Sequence, residues 1–134
     1  MPYILREDRK RLLDENGRYC GVPIRTAGEL NFILCTEGLK GDWKTSEELL
    51  SRFRSIVASF YGTSEKRYQD HNNVIGAVLG ASAELQRRYK EFTMKTDKPI
   101  HTIVSALLYL FEEFYSDTTG VYEDKKIVEN GDIV

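Results

Sequence analysis

The chain has few cysteines, which cross-link small proteins, and few prolines, which interrupt their helices and strands. Its 134 residues include two cysteines, three prolines and one tryptophan. Cys20 and Cys35 have no CxxC spacing and build neither a disulfide framework nor a zinc site, so we expect two reduced intracellular thiols. A chain of this length can bury a core without such staples. We therefore predict one domain over residues 1–134.

Long apolar runs and an excess of one charge are also missing. The longest apolar run, Ala106 to Phe111, is far too short to cross a bilayer, and the opening MPYILREDRK becomes charged too soon for a signal peptide. The 19 basic and 21 acidic residues give a net charge of −2, which argues against non-specific nucleic-acid binding. We expect a cytoplasmic protein without membrane contact.

Helical patterns fill most of the chain. Five segments combine apolar residues at spacings of three and four with start or stop signals. The predicted helices span residues 7–15, Thr26 to a break at Gly38 and Gly41, Thr45 to Gly62, 70–91, and Pro99 to a stop at 118–120. The fold class is therefore mainly α, a single compact bundle of about five helices.

Local signals add detail to these helices. Thr26 with Glu29, and Thr45 with Glu48, have the spacing of a capping box. We expect Trp43 to anchor the loop between these two helices on the core. Further along the chain, we expect an N-cap at Asp70, a buried Tyr89, and a close backbone approach at Gly76 and Gly80, either within one chain or between two.

The closing segment YEDKKIVENGDIV, from Tyr122 to Val134, has a turn signal. Asn130-Gly131 favours a type I′ turn between two short apolar arms, which predicts a small C-terminal β-hairpin. A ribbon this small is not stable alone. We therefore interpret residues 122–134 as a clasp on the bundle, with a polar disordered tail as the alternative. The clasp residues are Glu84, Tyr122, Glu123 and Asp124.

Four stretches of the sequence resemble a known family. They are PYI (2–4), GELNF (28–32), NNVIGAVLGASAELQRRY (72–89) and YEDKKIVENGDI (122–133). In this combination the chain resembles a family of small uncharacterised proteins of phages, prophages and bacteria, a domain of unknown function. The resemblance implies a phage or prophage setting and no activity. Because residues 90–120 interrupt the family pattern, either Glu84 or Glu113 matches the family glutamate.

The motifs do not favour an enzyme. The chain has no glycine-rich phosphate loop, HExxH motif or nucleophile elbow. His71 and His101 lack a metal-ligating neighbour at i+4, and we expect no metal site and no cofactor. The leading hypothesis is a non-enzymatic phage- or prophage-associated accessory protein, located in the host cytoplasm, that binds a host or partner protein. The wide apolar face of the fifth helix also makes a homodimer plausible.

Two other functions stay open. The first alternative is a protein that sequesters a small anionic, nucleotide-like ligand, and the second is a magnesium-dependent all-α nucleotide pyrophosphohydrolase. Arginine pairs bind phosphate or carboxylate well, although Glu84 and Arg88, one turn apart, also suit a simple internal pair. The candidate ligand-binding residues are Asn31, Asn73, Arg87, Arg88 and Lys125. The candidate magnesium ligands, without the paired ExxE and ExxD motifs, are Glu29, Glu84, Glu112, Glu113, Glu123 and Asp124.

Overall fold

The architecture comes from a computed structural model, which describes residues 4–61 and 68–116. The predicted hairpin and clasp at 122–134 lie outside the described residues. So do four residues assigned to the clasp or to the ligand site, Tyr122, Glu123, Asp124 and Lys125.

The described part of the chain is mainly helical, as predicted, and contains no strand. Four long helices pack in a ring in the order α2, α4, α6, α3, which leaves α2 and α6 on the diagonal. The centre of this ring holds large, fully buried side chains, among them Leu34, Phe53 and Leu107. The helices are α1 (Arg6–Leu12), α2 (Ala27–Lys40), α3 (Ser46–Tyr61), α4 (Tyr68–Arg87), α5 (Tyr89–Thr93) and α6 (Ile100–Ser116).

The predicted helix starts at α2 and α3 are confirmed. The Thr26 hydroxyl accepts the Glu29 amide at 3.1 Å, and the Thr45 hydroxyl accepts the Glu48 amide at 3.2 Å. Each glutamate then turns back and accepts the amide of the residue before the cap, so two free donors are satisfied at each start. Trp43 anchors the intervening loop as predicted, because its indole is buried and donates to the carbonyl of Gly38 at 2.9 Å.

The first helix ends earlier than predicted, at Leu12 instead of residue 15. Leu13 has an extended backbone and forms an isolated antiparallel β-bridge with Tyr19. The turn between them needs Gly17, whose φ is 77°, and the Asp14 carboxylate accepts the amides of Asn16 and Arg18 at 2.8 and 3.0 Å. These side-chain hydrogen bonds satisfy backbone amides in place of helical carbonyls, so the helix ends before Asp14.

The predicted break of the second helix is wrong at Gly38 and confirmed at Gly41, because α2 continues to Lys40 and Gly41 is its C-cap. Gly38 lies against α6, where an added β-carbon would be 2.5 Å from Cγ2 of Ile103. The glycine permits a close contact between diagonal helices and does not act as a stop signal.

The predicted fourth helix is split into two. Arg88 adopts φ −106° and ψ 30° between α4 and α5, which redirects the chain. As a result Phe92 packs against the core, whereas Tyr89 is 48% exposed and its predicted burial is wrong. Asp70 is not the N-cap either, since it lies in the first turn of α4, which already includes Tyr68.

Candidate functional site

Two of the family-like stretches meet where α2 crosses α4. The side-chain amide of Asn31, in GELNF, donates to the carbonyl of Ala77 at 3.1 Å. Gly80 lies under the same amide, and a β-carbon there would be 2.7 Å from Asn31 Nδ2. Gly76 faces open space. The close approach at Gly80 therefore occurs within one chain.

This crossing separates the predicted ligand-binding residues. Asn31 is buried between the two helices, and Asn73 accepts a hydrogen bond from Gln69 at 3.0 Å one turn away on α4. A helix rises 1.5 Å per residue, so Asn73 is about 21 Å from Arg87 along α4. Ala77, which Asn31 contacts, is about 15 Å from Arg87 along the same helix. The structure does not bring the two asparagines to the arginine pair.

The arginine pair is itself engaged by carboxylates. Glu84 is buried, and Arg87 and Arg88 bind its Oε1 at 2.7 and 3.3 Å. Arg88 also binds Glu91, with Nε 2.5 Å from Oε2. The predicted pairing of Glu84 with Arg88 is confirmed. The four residues form a short chain of alternating charges, Arg87–Glu84–Arg88–Glu91, whose net charge is zero.

The candidate magnesium ligands of the described chain are dispersed. Glu29 is bound by Arg11 at 2.6 Å, Glu113 receives two hydrogen bonds from Arg54, and Glu84 belongs to the charge chain above. Within residues 4–61 and 68–116, no three histidine, cysteine or acidic side chains come together as metal ligands. Three of the predicted acids thus each pair with an arginine.

Sequence reasoning missed a cleft of about 230 Å³ that lies between α2 and the α4–α5 junction. We call it the Phe32–Phe92 cleft. Its lining residues are Leu13, Phe32, Cys35, Thr36, Leu39, Lys40, Glu84, Arg88 and Phe92. The Arg88 guanidinium carbon lies 4.6 Å from the centre of the Phe92 ring, and that of Arg9 lies 5.6 Å from the Phe32 ring centre.

The cleft has one half-buried thiol, that of Cys35. Burial raises the pKa of Cys35 to about 12, and the negative charge of Glu84 adds to that effect. Cys35 is therefore a neutral thiol at physiological pH and contributes an apolar surface to the cleft instead of a nucleophile. The sequence does identify Phe32 within GELNF, but it gives no signal for Phe92, because the direction of α5 depends on the break at Arg88.

A larger and more polar cleft lies between the 18–21 turn and α3. Its volume is about 510 Å³, and Arg18, Arg52 and three serines line it. Arg52 binds Glu37 at 2.9 Å and also binds Asp42, which Arg18 contacts at 3.3 Å. The hydrogen bond from Arg52 holds the pKa of Asp42 below its ordinary value. Both arginines are matched by carboxylates, so this cleft has no excess positive charge for an anion.

The outer face of α6 carries three of the seven exposed large hydrophobic residues of the described chain. Leu108 is 44% exposed, Tyr109 63% and Tyr115 65%. A shallow groove of about 480 Å³ runs over the same face, and Ser105, Leu108, Tyr109, Phe111 and Glu112 line it. We call these residues, together with His101 and Tyr115, the α6 outer face.

No protein-family model, curated protein or solved structure matches this chain. The resemblance to the phage and prophage family therefore stays a prediction. Among the described residues, no helix has both the length and the apolar character that a membrane span requires.

Proposed function

We propose that this chain is a non-enzymatic accessory protein that binds a host or phage protein through the α6 outer face. The observation that supports it is the cluster of exposed Leu108, Tyr109 and Tyr115 along one helix. Large contiguous apolar patches, of more than roughly a few hundred Å², are rare on monomeric proteins and mark sites where a partner binds. Tyrosines are also frequent among the residues that contribute most to protein interfaces.

The spacing on this face indicates the form of the partner. Exposed residues recur on α6 at intervals of four, three, four and three, and form a seam of His101, Ser105, Leu108, Glu112 and Tyr115. In this seam Leu108 and Tyr115, seven residues apart, are apolar, and an amphipathic helix laid alongside it can pack its own apolar side chains on both. Glu112 is exposed within the seam, so a partner helix with a lysine or arginine opposite it gains complementary charge.

The other two functions have less support. Sequestration of a nucleotide-like anion by Arg87 and Arg88 requires the ligand to displace Glu84, a buried carboxylate that both arginines bind. A magnesium hydrolase requires several carboxylates around one ion, whereas Glu29, Glu84 and Glu113 each bind a different arginine or arginine pair. The phage or prophage setting comes from the sequence resemblance.

A capture experiment with matched variants tests the proposal. The tagged chain is used to capture proteins from a lysate of phage-infected cells, in parallel with Leu108→Glu/Tyr109→Glu and with Met94→Glu. Met94 is 88% exposed and lies outside α6, which makes it a control for adding charge to an exposed apolar position. Circular dichroism checks that all three proteins keep their helical content.

We expect to capture a protein that binds the wild-type chain and Met94→Glu with equal affinity. Its affinity for the Leu108→Glu/Tyr109→Glu variant, measured with purified components, should be at least about tenfold lower. Sedimentation of the chain alone separates this result from self-association. A captured protein that binds all three forms equally, or the absence of any captured protein, would refute the α6 outer face as the binding site.

A further inference from the structure

We propose that the Phe32–Phe92 cleft binds a small amphipathic anion, with an apolar body between the two phenylalanines and an acidic head on Lys40. The site shares no residue with the α6 outer face, so the inference does not depend on the proposed function. It also differs from a site on Arg87 and Arg88, because those two arginines are already bound by Glu84.

The walls of the cleft define the body of the ligand. Leu13, Phe32, Leu39 and Phe92 are all partly buried and pack against the hydrophobic core from its edge. The space of about 230 Å³ is below the range of drug-sized pockets and suits a single aromatic ring or a medium-length alkyl chain. An apolar body gains free energy there by leaving water.

The polar groups of the cleft define the head of the ligand. Glu84 and Arg88 both line it, but they belong to the charge chain whose net charge is zero. Lys40 is the remaining charged residue of the lining, and no carboxylate of the described chain pairs with its ammonium group. The cleft therefore has an excess of one positive charge.

The position of Lys40 places that charge at the rim. A β-carbon on Gly17 would be 3.3 Å from Lys40 Nζ, so the side chain extends from the last turn of α2 towards the 13–19 turn. Arg9, whose guanidinium stacks near the Phe32 ring, adds a second cation outside the lining. An acidic head at the rim meets these charges while the body enters the cleft.

Cationic ligands and compact anions fit this arrangement less well. A cation would face Lys40 and Arg9 and would have to separate Glu84 from its arginines before gaining a counter-charge. A compact anion without an apolar body would leave the phenylalanine walls in contact with water. The chemistry of the site thus selects for both parts of an amphipathic anion.

The test uses three probes that differ in one property at a time. Octanoate has the apolar body and the acidic head, octylammonium has the body with a positive head, and acetate has only the head. Each is titrated into the full chain labelled with nitrogen-15, and the amide shifts of α2 and α5 are followed. We expect saturable octanoate binding, half-complete at about 1 mM or below, and no saturable shift with the other two.

Two exposed lysines provide the variant and its control. Lys40→Gln removes the rim charge, and Lys90→Gln removes a charge of α5 that does not line the cleft. Since both side chains are exposed, both variants should keep the wild-type melting temperature. We expect octanoate to bind at least tenfold more weakly to Lys40→Gln and unchanged to Lys90→Gln.

Several results would overturn the proposal. Octanoate shifts that do not saturate, or that spread evenly over all helices, would show that the cleft is not a binding site. Equal affinity for octanoate and octylammonium, or for the wild type and Lys40→Gln, would show that the rim charge selects no head group.

Discussion

The side-chain amide of Asn31 on α2 lies 2.7 Å from the point where a β-carbon on Gly80 of α4 would stand. Asn31 is held there by its hydrogen bond to the carbonyl of Ala77, at 3.1 Å. At the crossing of the two helices, the backbone of Gly80 therefore contacts the buried side chain of Asn31. This contact makes the substitution of two glycines on the same helix a direct test of the packing.

Gly80→Ala should destabilise the fold, whereas Gly76→Ala should stabilise it. Alanine favours a helix over glycine by about 1 kcal/mol at either position. At Gly80 the methyl group displaces the Asn31 amide and breaks its buried hydrogen bond, which costs about 1–3 kcal/mol. At Gly76 an added β-carbon meets nothing within 4 Å.

Urea unfolding of the two variants and the wild type, followed by circular dichroism, measures the difference. We expect Gly76→Ala to have the higher midpoint. Equal gains in stability for both variants would mean that the α2–α4 crossing is looser than the structure shows.

Arg11→Ala should cost far more stability than Arg54→Ala, although each removes one arginine from an ion pair. Arg11 joins α1 to the following loop and to α2, because it donates to the carbonyl of Pro23 and binds the buried carboxylate of Glu29. Removing one partner of a buried pair costs about 3–5 kcal/mol, and the 23% exposure of Arg11 places the expected loss near the lower end of that range.

Arg54 is the control, since its pair with Glu113 lies on the surface. Both of those side chains are more than a third exposed, and surface pairs contribute about 0–1 kcal/mol. Chemical denaturation of both variants gives the comparison. If the two losses agreed within error, the Arg11–Glu29 pair would not hold α1 against the bundle.

The helical class of this chain could be predicted from its sequence because the signals are local. The threonine and glutamate pairs at the starts of α2 and α3 act within four residues, and so does the apolar spacing on α3 and α6. The failures at Gly38 and Tyr89 have a different origin. In the sequence Gly38 resembles a helix stop. Its actual role depends on Ile103, 65 residues later in the chain, which packs against it.

The candidate sites were harder to predict for the same physical reason. The pairing of Glu84 with Arg88 follows from one helical turn and was expected. The Phe32–Phe92 cleft requires α2, the 13–19 turn and the redirected α5 together, and no short spacing encodes that meeting. The burial of Asn31 likewise depends on Gly80, a residue 49 positions away.

Only Cys20 should react quickly with a thiol reagent in the folded protein. Cys20 is exposed, whereas burial raises the pKa of Cys35 to about 12, so its reactive thiolate is scarce at pH 8. Titration with Ellman's reagent should show one fast thiol in the wild type and none in Cys20→Ser. In urea, both proteins should expose one thiol more. Two fast thiols in the folded wild type would contradict the raised pKa of Cys35.

The same pKa predicts how alkaline pH acts on stability. The folded state raises the pKa of Cys35 from 9.0 to about 12, so it binds the thiol proton more tightly than the unfolded state does. The stability that depends on the neutral thiol is then complete below pH 9 and is lost as the pH rises from 9 towards 12. Between pH 8 and 10 the expected loss from this single group is about 1 kcal/mol.

Cys35→Ser isolates that contribution, because a serine hydroxyl of similar size does not ionise in this range. The unfolding free energies of the wild type and of Cys35→Ser are measured at pH 8 and pH 10, both with Cys20→Ser so that no other thiol titrates. We expect the stability of the protein with Cys35 to fall further between the two pH values, by about 1 kcal/mol. Parallel changes in both proteins would show that Cys35 ionises without a penalty, and hence that water solvates its thiolate in the folded protein.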